Sequence, residues 1–301
     1  MVAGDNGYEE AAANLPFMTE QVRQEFKPDQ VVELSPLVRR ITAANPSMMT
    51  GPGTNTFIIG EDRLTVVDPG PALVEHTEAI VDYCDGRLEQ ILLTHTHPDH
   101  SPGAALLQQI TGASVKASPV QLARIYDDTF TLNKPLEDGD RLELDEYSIE
   151  VVHTPGHVAN HLCFLLKDCH WLFAGDMVMD GSTVVIAPPD GNMGDYLKSL
   201  HRLVDMPIEA IAPAHGRIID SPAHYLQSLI EHRLRREQKV IDSLVNVGAA
   251  TIDELLPSVY DDIPAVLHSV AAMSLEAHLI KLADDKRVNR SDDRVRWTLK
   301  N

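Results

Sequence analysis

Thr94-His95-Thr96-His97-Pro98-Asp99-His100 puts three histidines and an aspartate within six residues. The apolar run Gln90–Leu93 before it reads as a short buried strand. Ser101-Pro102 after it opens a helix running through Ile110, Ser as a cap and Pro as a first helical residue. The cluster is therefore a loop at the carboxyl end of a strand. Alternate side chains there (His95, His97, Asp99) can point together while His100 points elsewhere, an arrangement able to feed two neighbouring metal ions. Clustered imidazoles with a carboxylate are what a zinc site requires.

Three other places repeat this context. Val151-Val152 runs into His153-Thr154-Pro155-Gly156-His157, Phe173-Ala174 into Gly175-Asp176, and Ile211-Ala212 into Pro213-Ala214-His215-Gly216. Each sets a ligand-type residue past a strand end, beside a Pro or Gly that lets the backbone turn. The other histidines at 76, 170, 201, 224, 232, 268 and 278 are read as satisfied surface or core residues. Thr56–Ile59 and Leu64–Val67 flank a polar turn and read as a hairpin. A helix is expected over Pro71–Cys84, with Leu73, Ile80 and Val81 inward. Further strands are expected at Arg141–Leu144, Ser148–Val152, His161–Leu166, Trp171–Ala174, Thr183–Ile186 and Ile208–Ala212, and a helix at Tyr196–Leu203. The first thirty residues are weakly patterned and expected to lie over the surface. Strand dominance with interspersed helices fits a sheet sandwich covered by helices.

The composition changes near Ser221. A long helix follows over Ala223–Val247, then a second helix with a capping box at Thr251 and Glu254, a third over Pro264–Ala283, and a hairpin around Ser291-Asp292-Asp293. This outlines a small winged-helix-like α+β domain at 222–301 after a catalytic domain at 1–221.

Across 301 residues, 25 basic against 45 acidic side chains give a net charge of −20. Residues 221–301 hold 11 basic and 12 acidic residues, so −19 falls on the first 220. Such a domain repels polyanions at long range and is a poor platform for nucleic acid. No apolar run approaches the roughly 20 residues of a membrane span. The acidic start of the chain is unlike a signal or transit peptide, and three scattered cysteines, Cys84, Cys163 and Cys169, make no disulfide framework. A cytoplasmic protein without membrane attachment is the expectation.

The run Thr94–His100, together with Asp68 in Val67-Asp68-Pro69-Gly70, His157 in Thr154-Pro155-Gly156-His157, Asp176 in Ala174-Gly175-Asp176 and His215 in Pro213-Ala214-His215-Gly216, resembles the metallo-β-lactamase superfamily. Gly51-Pro52-Gly53-Thr54-Asn55-Thr56 and Leu275-Glu276-Ala277-His278-Leu279-Ile280-Lys281-Leu282 are similar to its β-lactamase-like protein 2 subfamily, which adds a C-terminal winged-helix domain. The resemblance implies an α/β, four-layer αββα sandwich. It also implies a ligand set: His95, His97 and His157 on one metal, Asp99, His100 and His215 on a second, Asp176 bridging, and Asp68 orienting a ligand from behind. Two Zn²⁺ are implied, with Mn²⁺ or iron compatible with the donors.

A metal-activated water then needs no protein nucleophile, so Asp99 and Asp176 carry the chemistry. The expected activity is hydrolysis of a small ester or thioester, with Met48, Met49 and Phe57 as a candidate apolar lip. The alternatives are an endoribonuclease on single-stranded RNA, which the subfamily includes, a lactonase using Tyr196, and a non-enzymatic winged-helix adaptor. RNA would call on Arg233, Arg235, Arg236 and Lys239, or on Lys286, Arg287, Arg290, Arg294 and Arg296. The sequence leaves the oligomeric state open, a homo-oligomer included.

Overall fold

The computed structural model of the chain describes residues 5–124 and 127–300. They form two compact units. The first comprises residues 5–124, 127–153, 160–182 and 207–220, the second 154–159, 183–206 and 221–300.

In the first unit, helices α1 (Asp5–Ala13) and α2 (Glu20–Glu25) precede strands β1 (Val32–Ser35), β2 (Val38–Thr42), β3 (Asn55–Ile59) and β4 (Leu64–Val67). Helix α3 (Val74–Cys84), strand β5 (Leu88–Leu92), helix α4 (Gly103–Thr111) and strands β6 (Ser114–Ala117) and β7 (Lys134–Pro135) follow. The seven strands pair in chain order, antiparallel up to β4 and parallel from β4 onward. Strands β8 (Arg141–Glu143), β9 (Ser148–His153), β10 (Leu162–Leu166), β11 (Trp171–Gly175) and β12 (Ala210–Pro213) make a second sheet. It is antiparallel from β8 to β11, while β12 runs parallel to β11.

The two sheets pack face to face, because successive side chains alternate across a strand. On β3, Phe57 and Ile59 enter the inter-sheet core with Ile149, Val151, Phe164 and Phe173. Ile58, between them, faces the opposite side, where Ile80 and Cys84 of α3 and Ala104 and Leu107 of α4 cover the sheet. A strand covered on both faces reads as a continuous apolar run, as β3, β4 and β10 do. Helix, sheet and sheet of the expected sandwich thus stand in the first unit, and the helix at 196–203 falls in the second.

Several local expectations need correction. Ser101 does not cap α4, which has no side-chain cap; its hydroxyl bonds Asp127. Phe57 is a core residue against Phe173, 5.2 Å between ring centres, and forms no lip, whereas Met48 and Met49 are exposed. The N-terminal stretch is not merely draped over the surface: Tyr8, Ala12 and Met18 form a small buried cluster, and Phe26 is buried with the Arg40 guanidinium 4.3 Å from its ring centre.

Glu146 spans the turn between β3 and β4, accepting the amides of Glu61, Asp62 and Arg63 at 2.7–3.0 Å. Burial opposes its charge slightly, but the three amides hold its carboxyl below the usual value. Glu146→Ala is expected to lower unfolding stability by about 1–2 kcal/mol near neutral pH. The stabilisation is complete above the unfolded value near 4.3 and disappears as pH falls through the lower folded value. Urea unfolding of both proteins at pH 7 and pH 3 checks this: the gap should be smaller at the lower pH.

The second unit contains α5 (Met193–Val204), α6 (Pro222–Val247), α7 (Ile252–Val259), α8 (His268–Asp284), β13 (Val288–Arg290) and β14 (Trp297–Leu299). Thr251 and Glu254 make both bonds of the capping box that opens α7. Trp297, almost fully buried, exchanges backbone hydrogen bonds with Ala250 and closes a core with Leu244, Leu255, Leu275 and Leu282. Three helices and a hairpin are the winged-helix plan. Residues 265–284, α8 with its lead-in turn, are long and apolar enough to cross a membrane by length and composition. Their apolar face is committed to this core, and Lys281 within them pairs with Glu237 and Asp285, which is how a core helix is built. Thr183–Ile186 forms no strand.

Candidate metal centre

Strands β4 and β5 run parallel, as do β11 and β12, so each pair delivers its following loops to one rim. Asp68 follows β4, the 94–100 cluster follows β5, Asp176 follows β11 and His215 follows β12. Five predicted ligands of the first unit meet there in two overlapping groups, His95, His100 and Asp176 in one and Asp99, His100 and His215 in the other, with His97 beside His95.

Two imidazoles and two carboxylates of this cluster approach one another at ligand spacing. His100 Nε2 lies 3.4 Å from Asp176 Oδ1 and 3.6 Å from Asp99 Oδ2. His215 Nε2 lies 3.3 Å from Asp176 Oδ1 and 3.4 Å from Asp99 Oδ2. Donors about 2.0–2.1 Å from a tetrahedral zinc stand about 3.3 Å from one another. Both Nε2 atoms are buried and make no hydrogen bond, an arrangement that costs free energy unless something fills the gap between them. These donors fit a divalent cation.

The partners behind them fix the ring orientations. His100 Nδ1–H donates to Asp68 Oδ2 at 2.9 Å, and Asp68 also accepts the amide and hydroxyl of Thr94 at 2.8 and 2.6 Å. His215 Nδ1–H donates to the Gly53 carbonyl at 3.2 Å. Each bond puts the proton on Nδ1 and turns Nε2 toward the shared space. Asp68 holds this place at a positive φ of 50°, itself tied down by Thr56, whose hydroxyl donates to its carbonyl and contacts His76. His76 is a satisfied core histidine, bridging Thr56 and Asp29.

The electrostatics have the same sense. Burial works against charge on His100 and His215, yet the carboxylates of Asp99 and Asp176 hold both imidazoles above the ordinary histidine value. Burial likewise works against the charge on Asp99, but His100 and His215 pull its carboxyl down to about 2. A field that draws protons onto imidazoles in this space draws a metal cation equally.

His95 Nε2 and His97 Nδ1 stand 3.0 Å apart, and His95 also groups with His100 and Asp176. His157 belongs to the second unit. Its Nδ1–H donates to the Val185 carbonyl at 2.8 Å, again leaving Nε2 as the acceptor nitrogen. Its loop is seated by Gly156, where a Cβ would stand 2.3 Å from the Tyr196 Cα. Tyr196 is completely buried there, which removes it as a substrate-facing residue.

Two supports escape sequence reasoning. His161 Nε2 accepts the amide of Asp176 at 3.1 Å, and a Cβ on Gly175 would lie 2.7 Å from that nitrogen and 2.6 Å from Thr94 Oγ1. The available signal was position: β10 is antiparallel to β9 and β11, so a histidine just before it stands at the same rim. The second is Gly53, read only as a motif glycine, whose carbonyl orients His215.

Comparison with known proteins agrees with this architecture. The sequence model of the metallo-beta-lactamase superfamily matches residues 49–215. That of the beta-lactamase associated winged helix domain matches residues 251–297. Among relatives, the lactamase-like protein adaB of Aspergillus niger is 30% identical, over 92% of this chain and 86% of its own. A beta-lactamase-like protein 2 homolog of Drosophila melanogaster is 29% identical over 87% and 94%. An atrochrysone carboxyl ACP thioesterase of Aspergillus fumigatus is 29% identical over 86% and 85%. A metallo-beta-lactamase family protein from Thermus thermophilus shares the fold, with a TM-score of 0.75 at 20% identity over 89% of this chain and all of that one.

Proposed function

The chain belongs to the metallo-β-lactamase superfamily of hydrolases, and on that premise we propose that it is a dinuclear zinc hydrolase acting on a small acyl thioester. The observation that carries this is that the buried His100 and His215 Nε2 atoms each stand 3.3–3.6 Å from a carboxylate oxygen of both Asp99 and Asp176. In this reading His95, His97 and His157 hold one ion, Asp99, His100 and His215 the other, and Asp176 serves both. Bound there, the ions supply a water nucleophile at neutral pH and Lewis acidity toward the acyl carbonyl.

The chain supplies the rest. Asp68 and the Gly53 carbonyl keep His100 and His215 in the tautomer that presents Nε2. Asp99, with 27% of its side chain exposed against 0 and 2% for His100 and His215, is the donor that reaches solvent and can orient incoming water by accepting its hydrogen bond. No cysteine competes as nucleophile: burial pushes the Cys84 thiol up to about 12 and raises that of Cys169, and Cys163 is buried with its thiol toward the Ala174 carbonyl. A thioester, rather than an oxygen ester, is favoured by the fungal relatives whose names give that activity.

The RNA reading loses its support in the second unit. Arg233 and Arg236 are buried, and Arg235, Lys239, Arg287, Arg290 and Arg296 pair with Glu231, Asp261, Glu237, Glu276 and Glu254. Lys286 and Arg294 stay exposed outside these pairs, and two residues make no basic stripe. The test is thiol release from a series of acyl-pantetheine thioesters by zinc-loaded protein of measured metal content, beside an end-labelled single-stranded RNA. Thioester turnover with intact RNA is expected. RNA cleavage by the wild type and not by Asp99→Ala, with every thioester untouched, would overturn the proposal.

A further inference from the structure

Arg233 on α6 is 3% exposed, and among the described residues it pairs with no carboxylate. Its Nη2 donates to the Val184 carbonyl at 2.6 Å, its Nε has no partner, and its guanidinium carbon sits 5.1 Å from the Tyr196 ring centre. Burying a guanidinium without a counter-charge costs several kcal/mol, so the group needs a use that a hydrophobic residue cannot serve.

Its position indicates one. The next carbonyl along the chain, that of Val185, receives the His157 imidazole, and the next amide, that of Ile186, donates to Ser274 Oγ on α8 at 3.3 Å. Residues 183–187 have no regular secondary structure, so no β-ladder fixes this carbonyl. Three successive residues are instead held from α6, from the His157 loop and from α8. All of these groups belong to the second unit.

We propose that Arg233 is a positioning residue for the metal site, fixing through Val184 the Val185 carbonyl that sets the tautomer and direction of His157. A side chain of α6 thereby bears on the affinity of the ion that His157 would hold. This rests on His157 being a ligand, as argued above. Partners that orient a ligating histidine are typically worth 10–100-fold in metal affinity.

The experiment is Zn²⁺ titration of the full chain against a competing chromophoric chelator, with Co²⁺ absorption spectra as a second readout. Arg233→Met should weaken one of the two zinc equivalents by 10–100-fold and leave the other within twofold. General loosening of the fold would weaken both. Arg233→Lys, which keeps a donor for Val184, should recover most of the loss. If Arg233→Met fails to fold, Ser274→Ala serves, because it releases Ile186 and leaves the buried charge in place; a loss of about fivefold confined to one equivalent is expected. Folded Arg233→Met with both affinities at wild-type level overturns the inference. His157→Ala separates the two readings. Loss of one equivalent there, with none in Arg233→Met, rejects only the positioning role. Two full equivalents in His157→Ala reject the ligand assignment itself.

Discussion

Asp176→Ala is expected to lower kcat/KM by on the order of 10³-fold or more while leaving a folded protein. Its carboxylate groups with His95 and His100, and its Oδ1 lies 3.4 Å from His100 Nε2 and 3.3 Å from His215 Nε2. Metal stabilisation of transition-state charge is worth several kcal/mol, and about 4 kcal/mol corresponds to 10³ in rate. The fold survives because the loop is held by the backbone: the Asp176 amide is taken by His161, and Gly175 fills a space that admits no side chain. Steady-state kinetics on a thioester at saturating zinc, with circular dichroism of the same samples, measures both halves. Wild-type turnover in a folded Asp176→Ala protein would remove this residue from the centre.

Asp68→Ala should be damaging in a different way. One carboxylate satisfies three buried donors, the Thr94 amide, the Thr94 hydroxyl and His100 Nδ1. Each orphaned donor costs about 1–3 kcal/mol. The positive φ at this position adds a penalty that Asp tolerates better than Ala. A loss of at least about 3 kcal/mol in the metal-free protein is expected from these terms, read by urea unfolding. Zinc should bind 10–100-fold more weakly, because His100 loses the bond that sets its tautomer. A variant with unchanged midpoint and unchanged zinc affinity would show that Asp68 neither holds the rim nor orients the ligand.

The rim was legible because its residues stand at strand ends beside glycine or proline, a local signal that needs no knowledge of pairing. His95 to His100, Asp176 and His215 were all found in that way. Pairing itself was not legible, and what depends on it was missed. Strand β2 carries Arg39 and Arg40, whose charges mask its alternation, although Arg40 is buried with its guanidinium on the Glu25 carbonyl. His161 reads as the first residue of an apolar strand; only the antiparallel placement of β10 brings it under Asp176. Thr183-Val184-Val185-Ile186 is rich in β-branched residues and reads as a strand, yet side chains from distant points of the sequence hold it instead. Propensity reports what a segment favours alone, and such anchors override it.

The donors Asp99, His100, Asp176 and His215 come from both leaves of the sandwich. Asp99 and His100 leave the seven-stranded sheet, and Asp176 and His215 leave the five-stranded one. A cation seated among them is therefore a rivet through the two leaves at one end. Pulling the leaves apart must break coordination first, so binding energy becomes resistance to shear: about 4 kcal/mol when free metal stands at a thousand times its dissociation constant. Amides on β5 and β11 should then slow their hydrogen exchange together on loading, as one mechanical element rather than two.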